Sequence, residues 1–195
     1  MKTTRIAIAA VAALALVFTA TPAHATGGQP PGTIVDVAVA ASGGGTPDSN
    51  PADYDILVQA LLATGLAGAL SDTSQTYTVF APNDRAFLRL VADLTGTAPA
   101  SEAEALATIT SAFTIPQISD ILLYHVVAGQ KLGPVKVLTS GSLTMANGGI
   151  VKPRGITLRD ETTGLTDPRL VLWAINIQAS NGVIHTIDRV LVPAP

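Results

Sequence analysis

The sequence predicts an α+β domain, and two observations predict it. Helix-capping punctuation crowds the first half of the chain, and short β-prone runs divided by turn residues fill the second. No segment recurs at a fixed period, so one copy of one domain is expected. The 195 residues suffice for a single hydrophobic core. With 48% apolar and 13% charged residues, disorder driven by charge is excluded for the body of the chain.

Lys2 and Arg5 precede an uncharged run, Ile6 to Ala20, which Thr21-Pro22 breaks before the small residues Ala23-His24-Ala25. That order reads as a secretory signal peptide over 1–25, cleaved after Ala25. The run is shorter than the ~20 residues that span a bilayer core, which argues against a retained anchor. Cleavage would leave nine basic and fourteen acidic residues, a net charge of −5. Such mild acidity offers no basic face, so nucleic acid is not an expected partner. The chain has no cysteine, so its core must hold without disulfides. No Asn-x-Ser/Thr acceptor for N-glycans is present.

Residues 26–32 are rich in Gly and Pro and read as a flexible tail. Thr33 to Ala40 is a short apolar segment that periodicity leaves open between helix and strand. A helix follows, with Asn50 as its cap, Pro51 at its first position and Gly65 past its end. Tyr54, Leu57, Leu61 and Leu62 form its apolar stripe. Tyr77 to Ala81 has strand composition and Pro82 stops it. Asn83 then caps a helix carrying Phe87, Leu88, Val91 and Leu94. Ser101 and Glu104 form a capping box for a third helix to about Ala112. Pro116 opens a further helical turn with Ile118, Ile121 and Leu122. Strand candidates come next: Tyr124 to Val127, Leu143 to Met145, Ile156 to Arg159, Arg169 to Gln178 as the longest, Val183 to Ile187, and Val190 to Val192. Between them, Asn147-Gly148-Gly149 reads as a turn. Asn181-Gly182 reads as a type I′ hairpin turn with Gly182 at positive φ.

Three segments carry a resemblance: Tyr77-Thr78-Val79-Phe80-Ala81-Pro82-Asn83-Asp84-Arg85-Ala86-Phe87, then Ile121 to Gly129 with Tyr124-His125 at its centre, then Ala179 to Pro193 with Asn181-Gly182 and His185. In order and spacing the chain resembles the fasciclin domain over roughly residues 33–193. The resemblance implies a β-sandwich-like wedge flanked by several helices, an extracellular role in adhesion or matrix association, and no general catalytic activity. Phe80, Pro82, Phe87, Asn181, Gly182 and His185 match it at positions expected to be structural. Tyr124 and His125 match a motif tied to both adhesion and domain integrity. Asn176-Ile177 stands where animal relatives place an Asp-Ile pair linked to integrin binding, and the missing acid weakens that carry-over. Residues 42–55, 93–115 and 159–169 are longer than the family pattern.

His125 reads best as a buried imidazole that satisfies polar groups where helix passes into strand, because buried polar atoms must first be paired. His185 shares a strand face with Val183 and Ile187. The spacing of the two histidines fits no zinc site. Asp48, Asn50, Asp53 and Asp55 are oxygen-rich but lack the spacing, Gly and terminal Glu of a calcium loop, and read as turn and helix cap. Gly43-Gly44-Gly45 lacks the Lys-Ser/Thr of a phosphate loop, and no Gly-x-Ser-x-Gly elbow exists. No cofactor, metal or catalytic residue is therefore expected. The expected function is that of a secreted interaction module binding an extracellular protein or surface polymer, with no integral anchor after cleavage. The alternative is a carrier of an apolar small molecule such as a carotenoid, though an aromatic content of 4% is low for such a pocket. A secreted hydrolase is the third reading.

Overall fold

A computed structural model describes residues 32–194. The expected signal peptide, and all of the expected tail except Gly32, lie outside the described residues. Seven α-helices and seven strands follow in order, six of the helices before residue 124, so the α+β expectation holds. The helices are α1 (Ile34–Ala41), α2 (Asp55–Thr64), α3 (Leu66–Leu70), α4 (Asp84–Thr95), α5 (Glu102–Ala112), α6 (Ile115–Leu123) and α7 (Pro134–Thr139). The strands are β1 (Tyr77–Pro82), β2 (Val126–Ala128), β3 (Leu143–Thr144), β4 (Ile150–Arg154), β5 (Thr157–Arg159), β6 (Ile177–Ala179) and β7 (Gly182–Ile187).

One sheet runs β2-β1-β7-β6 and the other β3-β4-β5. At the centre of the first, β1 and β7 pair in parallel, Phe80 beside His185, although a hundred residues separate them. Alternate β1 side chains feed two cores, as the period of a strand requires. Val79 and Ala81 meet Ile184, Leu57, Phe87, Ile109 and Leu122 on the helical side. Phe80 meets Val127, Ile187, Val151 and Leu158 between the two sheets. All six residues of β7 are buried. Both faces of this strand are covered, so burial is continuous rather than alternating, and its two polar side chains, His185 and Thr186, are hydrogen-bonded inside.

The open segment at Thr33 resolves as helix because Thr33 and Asp36 form a capping box. Ile34 and Ala38 then enter the helical-side core region. The helix expected from Pro51 starts at Asp55 instead. Its first N–H groups find their acceptor on another helix: the Asp84 carboxylate accepts from Asp55 N (3.0 Å) and Ile56 N (2.8 Å). Asn50 is left to organise the preceding turn. Asn83 does cap α4, accepting from Ala86 N at 3.1 Å, but the buried stripe is Phe87, Leu90 and Val91, while Leu94 is exposed.

The strand expected over residues 169–178 forms only at its ends. Leu170 bridges Ile187 and Ile177 pairs with Ile184, so seven steps on one side match three on the other. The surplus leaves the sheet as a 3-10 turn, Leu172–Ala174. The hairpin turn is also shifted by one residue. Ala179 pairs with Gly182, which makes Ser180-Asn181 the two-residue loop. Among described non-glycine residues only Asn176 has positive φ, and Gly182 does not have it either, so the turn is not type I′. Glycine is needed at 182 because a Cβ there would overlap the Tyr77 carbonyl and the Ile34 side chain. Residues 190–192 form no strand.

Candidate functional site

The residues expected to meet a partner through the Tyr-His motif are inside the protein. Tyr124 is 0% and His125 2% exposed. Tyr124 ends α6, and its hydroxyl donates to Ile150 O (2.9 Å) and accepts from Glu161 N (3.1 Å). It thereby ties α6 to β4 and to the loop after β5, and Gly149 leaves room for its ring. The His125 Nδ1 donates to Ile121 O (2.7 Å), and its Nε2 accepts from Leu191 N (2.9 Å). His185 uses the opposite tautomer: Nδ1 accepts from Asn176 N (3.2 Å) and Nε2 donates to Leu132 O (2.8 Å). Desolvation pushes His125 down to about 4 and lowers His185 as well. Both imidazoles are neutral and each nitrogen is engaged by backbone. Neither has an atom left to act as a general base or to bind metal.

His185 also positions a surface. Stacked on Phe80 with centroids 5.8 Å apart, it fixes the backbone of Asn176 on the strand side of the 3-10 turn. Asn176 adopts φ 61, a conformation that Asn tolerates better than most side chains. Its carbonyl and Oδ1 both accept from Gln178 Nε2. Asn176 is exposed and Ile177 is half-buried. Immediately before them the turn holds Leu172, 55% exposed, and Trp173, 88% exposed. A lone tryptophan with nearly all its surface in water is the most conspicuous apolar feature of the described residues. In the sequence Trp173 lies inside a continuous apolar run, Leu170 to Ile175, of the longest strand candidate, and nothing local marks it as exposed. The four-residue mismatch with β7 that throws it outward is a tertiary fact.

A groove of about 560 Å³ lies between α6 and the C-terminal segment. Phe113, Pro116, Ile121, Val192 and Pro193 give it apolar walls, and Gln117, Asp120 and Thr162 give it polar points. The loop after β5 closes one side: Thr162 donates to Val192 O (2.9 Å) and Asp160 accepts from Val192 N (3.0 Å).

Residues 42–55 and the segment after α4 meet at an acidic cluster. Carboxylate oxygens of Asp48, Asp53 and Asp55 lie within 4.8 Å of one another, and so do those of Asp53, Asp84 and Glu102. All but Asp48 are buried. Burial, then the neighbouring Asp53 carboxyl, push Asp84 up to about 8, while burial also raises Asp55 and Glu102. The sequence marked Asp48, Asp53 and Asp55. Asp84 and Glu102 sit at the starts of later helices, and no local spacing joins them to the first three.

The chain matches the Fasciclin domain family over residues 52–193. An uncharacterized Synechocystis protein, sll1735, is 31% identical over 142 residues, 71% of this chain and 89% of the relative. Protein sll1483 of the same organism is 31% identical over 144 residues, 72% of this chain and 67% of the relative. The fold is similar to that of a FAS1 domain pair from the insect cell adhesion molecule fasciclin I, with a TM-score of 0.58 at 15% identity. That alignment covers 84% of this chain and about half (51%) of the pair. The two-sheet wedge, the buried Tyr124-His125 pair and the matched sequence together place the chain in the fasciclin domain family.

Proposed function

We propose that this chain is a secreted, non-catalytic interaction module whose contact surface is the Leu172–Ala174 turn with Asn176-Ile177 beside it. The observation that carries the reading is Trp173, 88% exposed on a turn whose flank is hydrogen-bonded to buried His185. Tryptophan on a fixed backbone loses little entropy on binding and is over-represented among residues that dominate interface energies. Fasciclin domains are often extracellular and adhesion-related and are generally non-catalytic, and the signal-peptide pattern at 1–25 agrees with export. The partner is an extracellular protein or a surface polymer. Beads bearing the chain should be retained by intact cells of the producing organism, and W173A beads should lose that retention at least about tenfold. Equal retention of the two would refute the assignment.

The groove at α6 supports a second reading, carriage of an apolar small molecule. Its volume of about 560 Å³ lies in the range of ligand pockets, and its walls are apolar with a few polar points. Visible absorbance and extra mass in the protein isolated from its own host would favour this reading, and a bare polypeptide mass would count against it.

A further inference from the structure

We propose that the acidic cluster where residues 42–55 meet the N-termini of α4 and α5 is a divalent-cation site selective for Ca²⁺. Its ligands are the carboxylates of Asp48, Asp53 and Asp55, with Asp84 and Glu102 closing the inner side.

Several of the carboxylate oxygens already accept hydrogen bonds inside the fold. Asp84 accepts from Asp55 N and Ile56 N. One Glu102 oxygen accepts from Asp48 N at 2.8 Å, and Asp53 Oδ2 accepts from Asn50 Nδ2 at 2.8 Å. Three of the buried oxygens do not: Asp53 Oδ1 and both oxygens of Asp55 have no hydrogen-bond partner. Asp55 is 0% exposed, and its carboxylate lies within 4.8 Å of those of Asp48 and Asp53. Orphaned, fully buried anionic oxygens aimed at other anions are what a missing cation leaves behind.

The charge balance points the same way. The ion pairs among the described residues are Arg89–Asp188, Arg159–Asp167 and Arg189–Asp93, and none involves the cluster. The N-termini of α2, α4 and α5 converge here, and each supplies about half a positive charge. Three such ends offset about one and a half negative charges, fewer than the carboxylates of Asp48, Asp53, Asp55 and Glu102 carry, so a deficit remains that a divalent ion fits. The donors are all oxygens, which selects a hard cation. An irregular set drawn from one loop and three helix starts suits the larger, irregular shell of Ca²⁺ better than the strict octahedron of Mg²⁺. Two segments, residues 42–55 and 93–115, supply Asp48, Asp53, Asp55 and Glu102.

The test is calorimetric titration of the chelator-stripped chain with CaCl2 and with MgCl2, alongside thermal unfolding at each concentration. Binding of Ca²⁺ with a Kd of about 1 mM or tighter is expected, with Mg²⁺ at least about tenfold weaker. The unfolding temperature should climb with Ca²⁺. D55N makes no hydrogen bond fewer than wild type and removes one buried charge. In chelator it should melt no lower than wild type, and its Ca²⁺ affinity should fall at least about tenfold; E102Q should lose affinity in the same direction, and D167N, outside the cluster, should not. Absence of binding heat and of any thermal shift in wild type at about 10 mM Ca²⁺ would overturn the proposal, as would unchanged affinity in D55N.

Discussion

Acidification puts a definite load on His125. In the unfolded chain its imidazole titrates near 6.5, and in the folded protein the value is about 4, because protonation would place a charge in a dry core. It would also turn Nε2 into a donor facing the Leu191 N–H, which it now accepts. The folded value is depressed, so the unfolded state binds the proton first as pH falls. Stability from this group is complete above pH 6.5 and is lost as pH drops towards 4. At 1.36 kcal/mol per pH unit, the loss between pH 7 and pH 4.5 comes to about 2 kcal/mol. The buried carboxylates act in the opposite sense. Asp84, held up near 8, favours folding as it takes its proton, and that contribution is lost as pH rises from about 4 towards 8. Whole-protein stability therefore sums opposing slopes, and a residue-resolved probe is needed. Nitrogen-proton correlation NMR of the His rings should show His125 as the Nδ1–H tautomer with constant shifts from pH 7.5 to about pH 5. Denaturant unfolding of wild type and H125Q should differ in their pH 7 to pH 4.5 change by about 2 kcal/mol, wild type losing more. A His125 ring that titrates near 6.5, or that carries its proton on Nε2, would refute the argument.

Further outcomes follow from single side chains. Asn181 Oδ1 accepts from Ile34 N while Nδ2 donates to Leu70 O and Asp72 O, so N181A should cost about 2–4 kcal/mol in denaturant unfolding by orphaning those groups. G182A should cost about 3 kcal/mol or more, since a methyl there forces β1 from β7; unchanged unfolding would contradict the parallel register. Y124F removes one hydroxyl that both donates and accepts, and a loss of about 1–3 kcal/mol is expected by the same assay. W173A should leave thermal stability within about 0.5 kcal/mol, because the ring is 88% exposed and packs on little.

Local chemistry determined much of this protein in advance. Asn83, Ser101 and Thr33 hold caps that depend only on their own neighbours three residues on, and the first two could be read directly. Gly65 and Gly96 end α2 and α4 in the left-handed conformation, as expected of glycine there. The α+β class and the burial role of His125 and His185 were legible for the same reason: composition changes halfway along, and a lone imidazole among apolar residues must find partners. What the chain alone did not decide is everything that needs a distant group. The start of α2 shifted because its cap, Asp84, lies 29 residues downstream. The hairpin moved by one residue because Asn181 is committed to α1 and to the end of α3. Trp173 reaches water because β7 is shorter than the segment laid against it. The acidic cluster exists because three helix starts, separate in sequence, converge on one point, and no periodicity or spacing encodes such a meeting.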